Sequence, residues 1–415
     1  MLKGEKRKRT EDASVSPGAP KASKEEVVSR PAFEAALSGV LVDPPVFHAF
    51  AGGIDREMAG AIWTWIARDV AAGPVARLAD GIESGAAPAA AFEAMLPEIL
   101  EALKETLAQE ADDYELERRN TIQMGGEDTR KRLPYVIMAL RRHKLLEQAA
   151  IFGKAVSTLQ DEAAIATALQ SITINNPVTR ALWMQAMISS SANPSRVMAA
   201  AVSLSGGGDE VRIANGAFAP LVEAMLSHAQ SQIALLGTHP GVFADHDLAC
   251  KAIDRFHRLM RAINYNLEID RKSHWGVIIA DLTGKVAERL NRPMREITAN
   301  VTKALRKPRE GADRVDPDNV LAALNAMYLL ITVRNSRDSL ALNALLEQAW
   351  SETGQAVEVL VTRALDMFRA NPADPVLRER LDLGIKLAEL RFNPEYAEIL
   401  RRARDGAERR TAQQA

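Results

Sequence analysis

Only one cysteine, Cys250, stands in the 415 residues. That count excludes an internal disulfide and any zinc site built from cysteines. Long apolar runs are equally scarce. The most apolar stretches, such as AMYLLITV (326–333), are far too short to span a bilayer, and no hydrophobic leader opens the chain. The expected setting is therefore intracellular and cytoplasmic, with no membrane partner. Catalytic signatures are missing too. The Gly284-Lys285 pair lacks the preceding glycine and the hydroxyl residue of a phosphate loop. No His-Glu-x-x-His helix, Gly-x-Ser-x-Gly elbow or calcium loop occurs. These absences point away from an enzyme and call for no cofactor.

What is present is a soluble composition, 47% hydrophobic and 26% charged, in a chain long enough for two domains. The net charge of −2 conceals a strong asymmetry. Residues 34–117 hold 16 acidic against 4 basic side chains, a balance of −12. Residues 118–154 carry 9 basic and 3 acidic, and residues 250–310 carry 14 and 7, balances of +6 and +7.

Residues 1–32 mix Lys, Glu, Ser, Pro and Gly with little that is apolar, so they are expected to be a disordered basic, Ser/Pro tail. The end of the chain reads the same way after about Asp405. Between the tails the pattern is helical. Asn or Asp precedes Pro at 43–44, 176–177, 193–194, 316–317, 371–372, 374–375 and 393–394. An Asx side chain caps free N–H groups, and Pro at the first helical position loses no needed donor. Met294, Ile297, Val301 and Leu305 share one face of 293–307, as do Leu248, Ala252, Phe256, Leu259, Ile263 and Leu267 of the helix beginning near 246. GVIIADL (276–282) and LLITVR (329–334) are β-branched but sit inside longer helical patterns, so both are assigned to buried helix. Trp63 and Trp65, two apart and flanked by Ile62, Ile66 and Val70, mark a helix apolar nearly all round that starts at Asp55.

The fold class is all-α: two helical lobes joined by a Gly-rich hinge, with disordered tails at both ends. The hinge is Ser205-Gly206-Gly207-Gly208-Asp209, the strongest internal break. It separates a lobe at 33–205 from one at 209–392, with a terminal helix and tail at 393–415. No fixed period recurs, which leaves an irregular helical stack.

One metal-like constellation stands at THPGVFADHD, where His239, Asp245, His246 and Asp247 fall within ten residues. Adjacent His-Asp pairs bind metals in some helical phosphohydrolases, and His228 and Asp281 could complete such a set. The simpler assignment is a turn at His239-Pro240-Gly241 and a cap for the next helix.

The basic middle carries the functional expectation. On the helix at 248–267 the residues Lys251, Arg255, Arg258 and Arg261 fall opposite the apolar arc, with Tyr265 among them. On 293–307 the residues Arg295, Lys303, Arg306 and Lys307 do likewise, with Arg292 just before. Arg130, Lys131 and Arg132, with Arg141 and Arg142, could add a second wall from the other lobe. Basic side chains on successive helices with an aromatic between them suit the backbone of a nucleic acid. The expected function is thus a non-catalytic, nucleoprotein-like structural protein that holds single-stranded RNA or DNA and self-assembles as a homo-oligomer. The alternative is a helical scaffold for other proteins, its basic faces covered by acidic helices. The cluster Lys6, Arg7, Lys8 and Arg9 reads as a solvated tail that could serve as an import signal if the host cell has a nucleus.

Overall fold

The structure, a computed structural model, describes residues 23–236, 246–306 and 314–414, with the backbone alone at 411, 412 and 414. Lys6, Arg7, Lys8, Arg9, His239, Asp245 and Lys307 lie outside the described residues. The architecture is all-α. In chain order the helices begin with α1 (Lys24–Ala36), α2 (Arg56–Trp65), α3 (Ala72–Glu83), α4 (Pro88–Asp112), α5 (Tyr114–Gln123) and α6 (Glu127–Arg141). There follow α7 (His143–Thr158), α8 (Glu162–Gln170), α9 (Pro177–Ser190), α10 (Pro194–Ser205), α11 (Glu210–Ala214) and α12 (Ala219–Ala234). The last are α13 (His246–Asn266), α14 (His274–Ala304), α15 (Pro317–Asn335), α16 (Asn343–Ala370), α17 (Pro375–Arg391) and α18 (Pro394–Gln414). Two-residue strands β1 (Leu41–Val42) and β2 (Ile54–Asp55) pair in parallel, Leu41 opposite Ile54.

Five of the Asx-Pro dipeptides start helices, α9, α10, α15, α17 and α18. Asn176 accepts from Thr179 N, Asp316 from Asp318 N, Asp374 from Val376 N and Leu377 N, and Asn393 from Tyr396 N. Each satisfies donors that a first turn leaves open. The other two start none. Pro44 is followed by Pro45 in a loop, and Asn371 closes α16.

Described helices extend into both segments expected to be tails. The first described helix begins at Lys24, inside the segment expected to be disordered up to residue 32. Its polar residues find partners: Glu26 accepts from the Thr64 hydroxyl at 2.6 Å, and the Ser29 hydroxyl donates to Glu25 O at 2.7 Å. At the other end α18 continues past Asp405 to Gln414.

The chain divides into two compact units, residues 1–36 with 60–131, and residues 37–59 with 132–415. The Ser205–Asp209 break lies inside the second of these. There Gly206 takes φ 75° as the left-handed cap of α10, a conformation glycine adopts without strain.

In the first unit α1, α3 and α4 pack around Phe33, Trp63 and Phe92, with Phe33 stacked on Trp63 at a 4.6 Å centroid separation. Trp63 and Trp65 are both fully buried. At the far end of α4 the carboxylate of Glu110, only 4% exposed, receives Asn120 Nδ2 at 2.7 Å and the Arg130 guanidinium.

In the second unit α7 packs on α9, α9 on α12, and α12 on α13. The helix α14 packs on α15 and α16, and α16 on α17. Gly153 lets α7 approach α9 closely, since a Cβ there would stand 2.1 Å from Met187 O. Residues 43–55 are tied to α12 by Gln230, 1% exposed. Its Oε1 accepts from Phe47 N and His48 N, and its Nε2 donates to His48 O.

Candidate nucleic-acid interface

The basic residues singled out in the sequence fall into three physical groups. The first works as helix glue. Arg255, on α13, donates to Ile188 O at 2.6 Å and to Ser191 O, carbonyls at the C-terminal end of α9. The last carbonyls of a helix lack intrahelical donors and carry the negative end of its dipole, so a guanidinium is their natural partner. Burial, and then the neighbouring Arg258, lowers the Arg255 pKa to about 10. The same device recurs along the chain. Arg196 caps α7 at Leu159 O (2.6 Å), Arg212 caps α10 at Gly206 O (2.6 Å), and Arg380 caps α14 at Leu305 O (2.7 Å). Arg132 donates to Phe50 O at 3.2 Å, and Arg130 is held in its buried pair with Glu110.

The second group is neutralised on its own helix. Lys251 pairs with Asp247, Arg258 with Asp254 and Lys131 with Asp128. These are i,i+3 and i,i+4 pairs, and they leave little net charge on the first half of the α13 face. Arg261 and Tyr265 are exposed further along it, Tyr265 at 78%. Arg141 and Arg142 are exposed at the junction of α6 and α7.

The third group stays open. On α14 the residues Arg289, Arg292, Arg295 and Lys303 are exposed, and Arg306 follows just past the helix end. At 100° per residue the four helical positions lie within an arc of about 120°, and they extend along about 21 Å of axis. Glu288 and Glu296 share that face, and of the two only Glu296 makes an ion pair, with Arg292 at 2.8 Å. Arg295 donates its Nε to Asn291 Oδ1 at 2.8 Å, which leaves its terminal nitrogens free. The opposite face of α14, from Met294 through Ile297 and Val301, is buried. Both α13 and α14 pack on α12 and α15, while α13 also packs on α10 and α14 on α16.

Arg289 is absent from the sequence-derived set because Pro293 reads as a helix start. The helix instead runs through Pro293 and began at His274.

A shallow groove of about 260 Å³ opens beside the stripe, between α14 and α16. It is lined by the apolar Met294, Leu345 and Ala349 and the polar Arg295, Thr298, Gln348 and Glu352.

The described members of the metal-like set do not form one site. His228 Nε2 lies 2.8 Å from Gln185 O, and burial takes its pKa down to about 4. Asp281 lies 2.8 Å from His48 Nε2 and 3.1 Å from Lys285 Nζ. Burial alone would raise the Asp281 pKa, but these two partners together lower it. His246 opens α13, and Asp247 is taken by Lys251. Among the described residues no group of three or more His, Cys, Asp or Glu is placed to hold a metal ion. Nor, among them, is any helix long and apolar enough to cross a membrane.

No protein-family model, curated protein or solved structure matches this chain.

Proposed function

We propose that the protein is a non-catalytic nucleic-acid-binding protein that grips a single-stranded phosphate backbone along α14. The observation that carries this reading is the open stripe of Arg289, Arg292, Arg295, Lys303 and Arg306, with one ion pair among the five. An exposed cation that lacks a carboxylate can replace the counterions condensed on a nucleic acid's phosphates, whereas a paired one must first break its own bridge. Copies bound side by side along one strand would give the self-assembly expected of such a protein.

The test is fluorescence anisotropy with a labelled oligothymidylate over a range of salt. Three to four engaged phosphates predict a slope of log K against log salt of about −2 to −3. Reversing Arg292, Lys303 and Arg306 together to Glu abolishes binding and leaves the circular dichroism spectrum unchanged. A wild-type protein that shows no salt-dependent binding, or a triple variant that still binds, refutes the reading.

The second reading, a helical adaptor for other proteins, is favoured by the self-neutralised half of α13. It predicts no response to the oligonucleotide at any salt.

A further inference from the structure

The groove between α14 and α16 has polar walls of opposite kind. On the α14 side Arg295 presents guanidinium N–H groups that have no acceptor. On the α16 side Glu352 uses Oε1 to accept from Gln348 Nε2 at 2.8 Å, and its Oε2 is unengaged. The two line one groove, yet they form no ion pair across it. Met294, Leu345 and Ala349 also line it, Leu345 half-buried and the other two buried. At about 260 Å³ the space falls just below the roughly 300–1,000 Å³ of complete small-molecule sites, room for one flat ring system with its sugar outside.

We infer that this groove receives a guanine base of the single strand whose phosphates run along α14. The inference rests on that reading of the stripe, and it adds base selectivity to it. Guanine alone among the bases offers two adjacent acceptors, O6 and N7, and two adjacent donors, N1–H and the N2 amino group. The first pair suits a guanidinium fork, the second a carboxylate, and the ring face suits the apolar side chains of the lining. Adenine would turn its N6 amino group toward Arg295, donor against donor. A base inside a duplex could not enter, which makes unpaired strands the substrate class.

The experiment compares a twelve-nucleotide oligothymidylate with the same strand carrying one central dG, dA or dC, by anisotropy at fixed salt. The dG strand binds roughly tenfold more tightly than the others, as expected for one bidentate contact. Glu352→Gln removes that preference and leaves the affinity for oligothymidylate at or slightly above the wild-type level, since an acid near the stripe is lost. Equal binding of all four strands, a preference for dC or dA, or a dG preference that survives Glu352→Gln overturns the inference while the backbone reading stands. Failure of every strand to bind overturns both. An altered circular dichroism spectrum in Glu352→Gln shifts the decision to Glu352→Asp, which keeps the charge, shortens the reach, and reduces the dG preference if the contact is real.

Discussion

Replacing Arg255 by Met separates its role in the fold from any role at a ligand. Methionine keeps most of the apolar stem and deletes the guanidinium, so the change removes two charge-assisted bonds to the end of α9. Such bonds contribute roughly 1.5–3 kcal/mol each, about 3–6 kcal/mol together. Against this stands the penalty of burying the charge. The fall of the pKa to about 10 corresponds to roughly 3 kcal/mol. The balance is a net loss of about 1–2 kcal/mol, enough to lower the melting temperature by roughly 2–3 °C in a unit of about 300 residues. Urea denaturation followed by circular dichroism measures it, as a shift of midpoint at constant slope. Arg261→Ala, on the exposed face of the same helix, is the control and changes stability by less than about 0.5 kcal/mol. If Arg255→Met is as stable as the control, the capping assignment is wrong. The residue would then return to the set of candidate phosphate contacts.

Two further perturbations probe buried charge. His228 has a folded pKa of about 4, below the ordinary histidine value, so between about pH 6.5 and 4 the unfolded chain takes up a proton that the native state refuses. Its contribution is present above pH 6.5 and is lost as the pH falls through that window, by about 3 kcal/mol in all. Denaturation midpoints of wild type and His228→Gln therefore converge on acidification, and parallel curves would contradict the assignment. In the first unit, Glu110→Ala strands the Arg130 guanidinium, whose Nη1 already lacks a partner and whose nearest remaining carboxylate is Glu117 at 3.9 Å. The expected loss is about 3–5 kcal/mol, and a midpoint shift equivalent to less than about 1 kcal/mol argues that Arg130 relaxes to solvent.

Much of the helical architecture was legible because capping is local chemistry. Asn176, Asp316, Asp374 and Asn393 each meet N–H groups two or three residues ahead, so sequence and structure report the same event. Where the outcome depended on the next residue or on distant packing, reading stopped short. Pro45 after Asp43-Pro44 blocks a helix. Lys24–Ala32 looks too polar to fold, yet Glu26 and Ser29 satisfy their polar atoms within the first unit. Pro293 looks like a start because proline favours first turns, but inside α14 the flanking apolar face from Leu282 to Val301 holds the helix together across it.

The same distinction governs the site. An i,i+4 acid is visible in the sequence, so the neutralised state of Lys251 and Arg258 could be anticipated from Asp247 and Asp254. The acceptors of Arg255, Arg196 and Arg380 could not, because they are backbone carbonyls, which every residue has and only the fold exposes. A count of positive charge between residues 250 and 310 therefore overstates what is available to a ligand. Among the described residues, subtracting the guanidiniums spent on helix ends and the cations held by their own helix leaves Arg261, Arg271 and Lys272 outside α14, and Arg289, Arg295, Lys303 and Arg306 of the α14 stripe. The stripe is distinguished by the scarcity of acceptors around it rather than by a higher density of charge. Phosphates can supply that missing partner at little cost, since α14 already holds its cations exposed, in one arc, and mostly without a bridge to break.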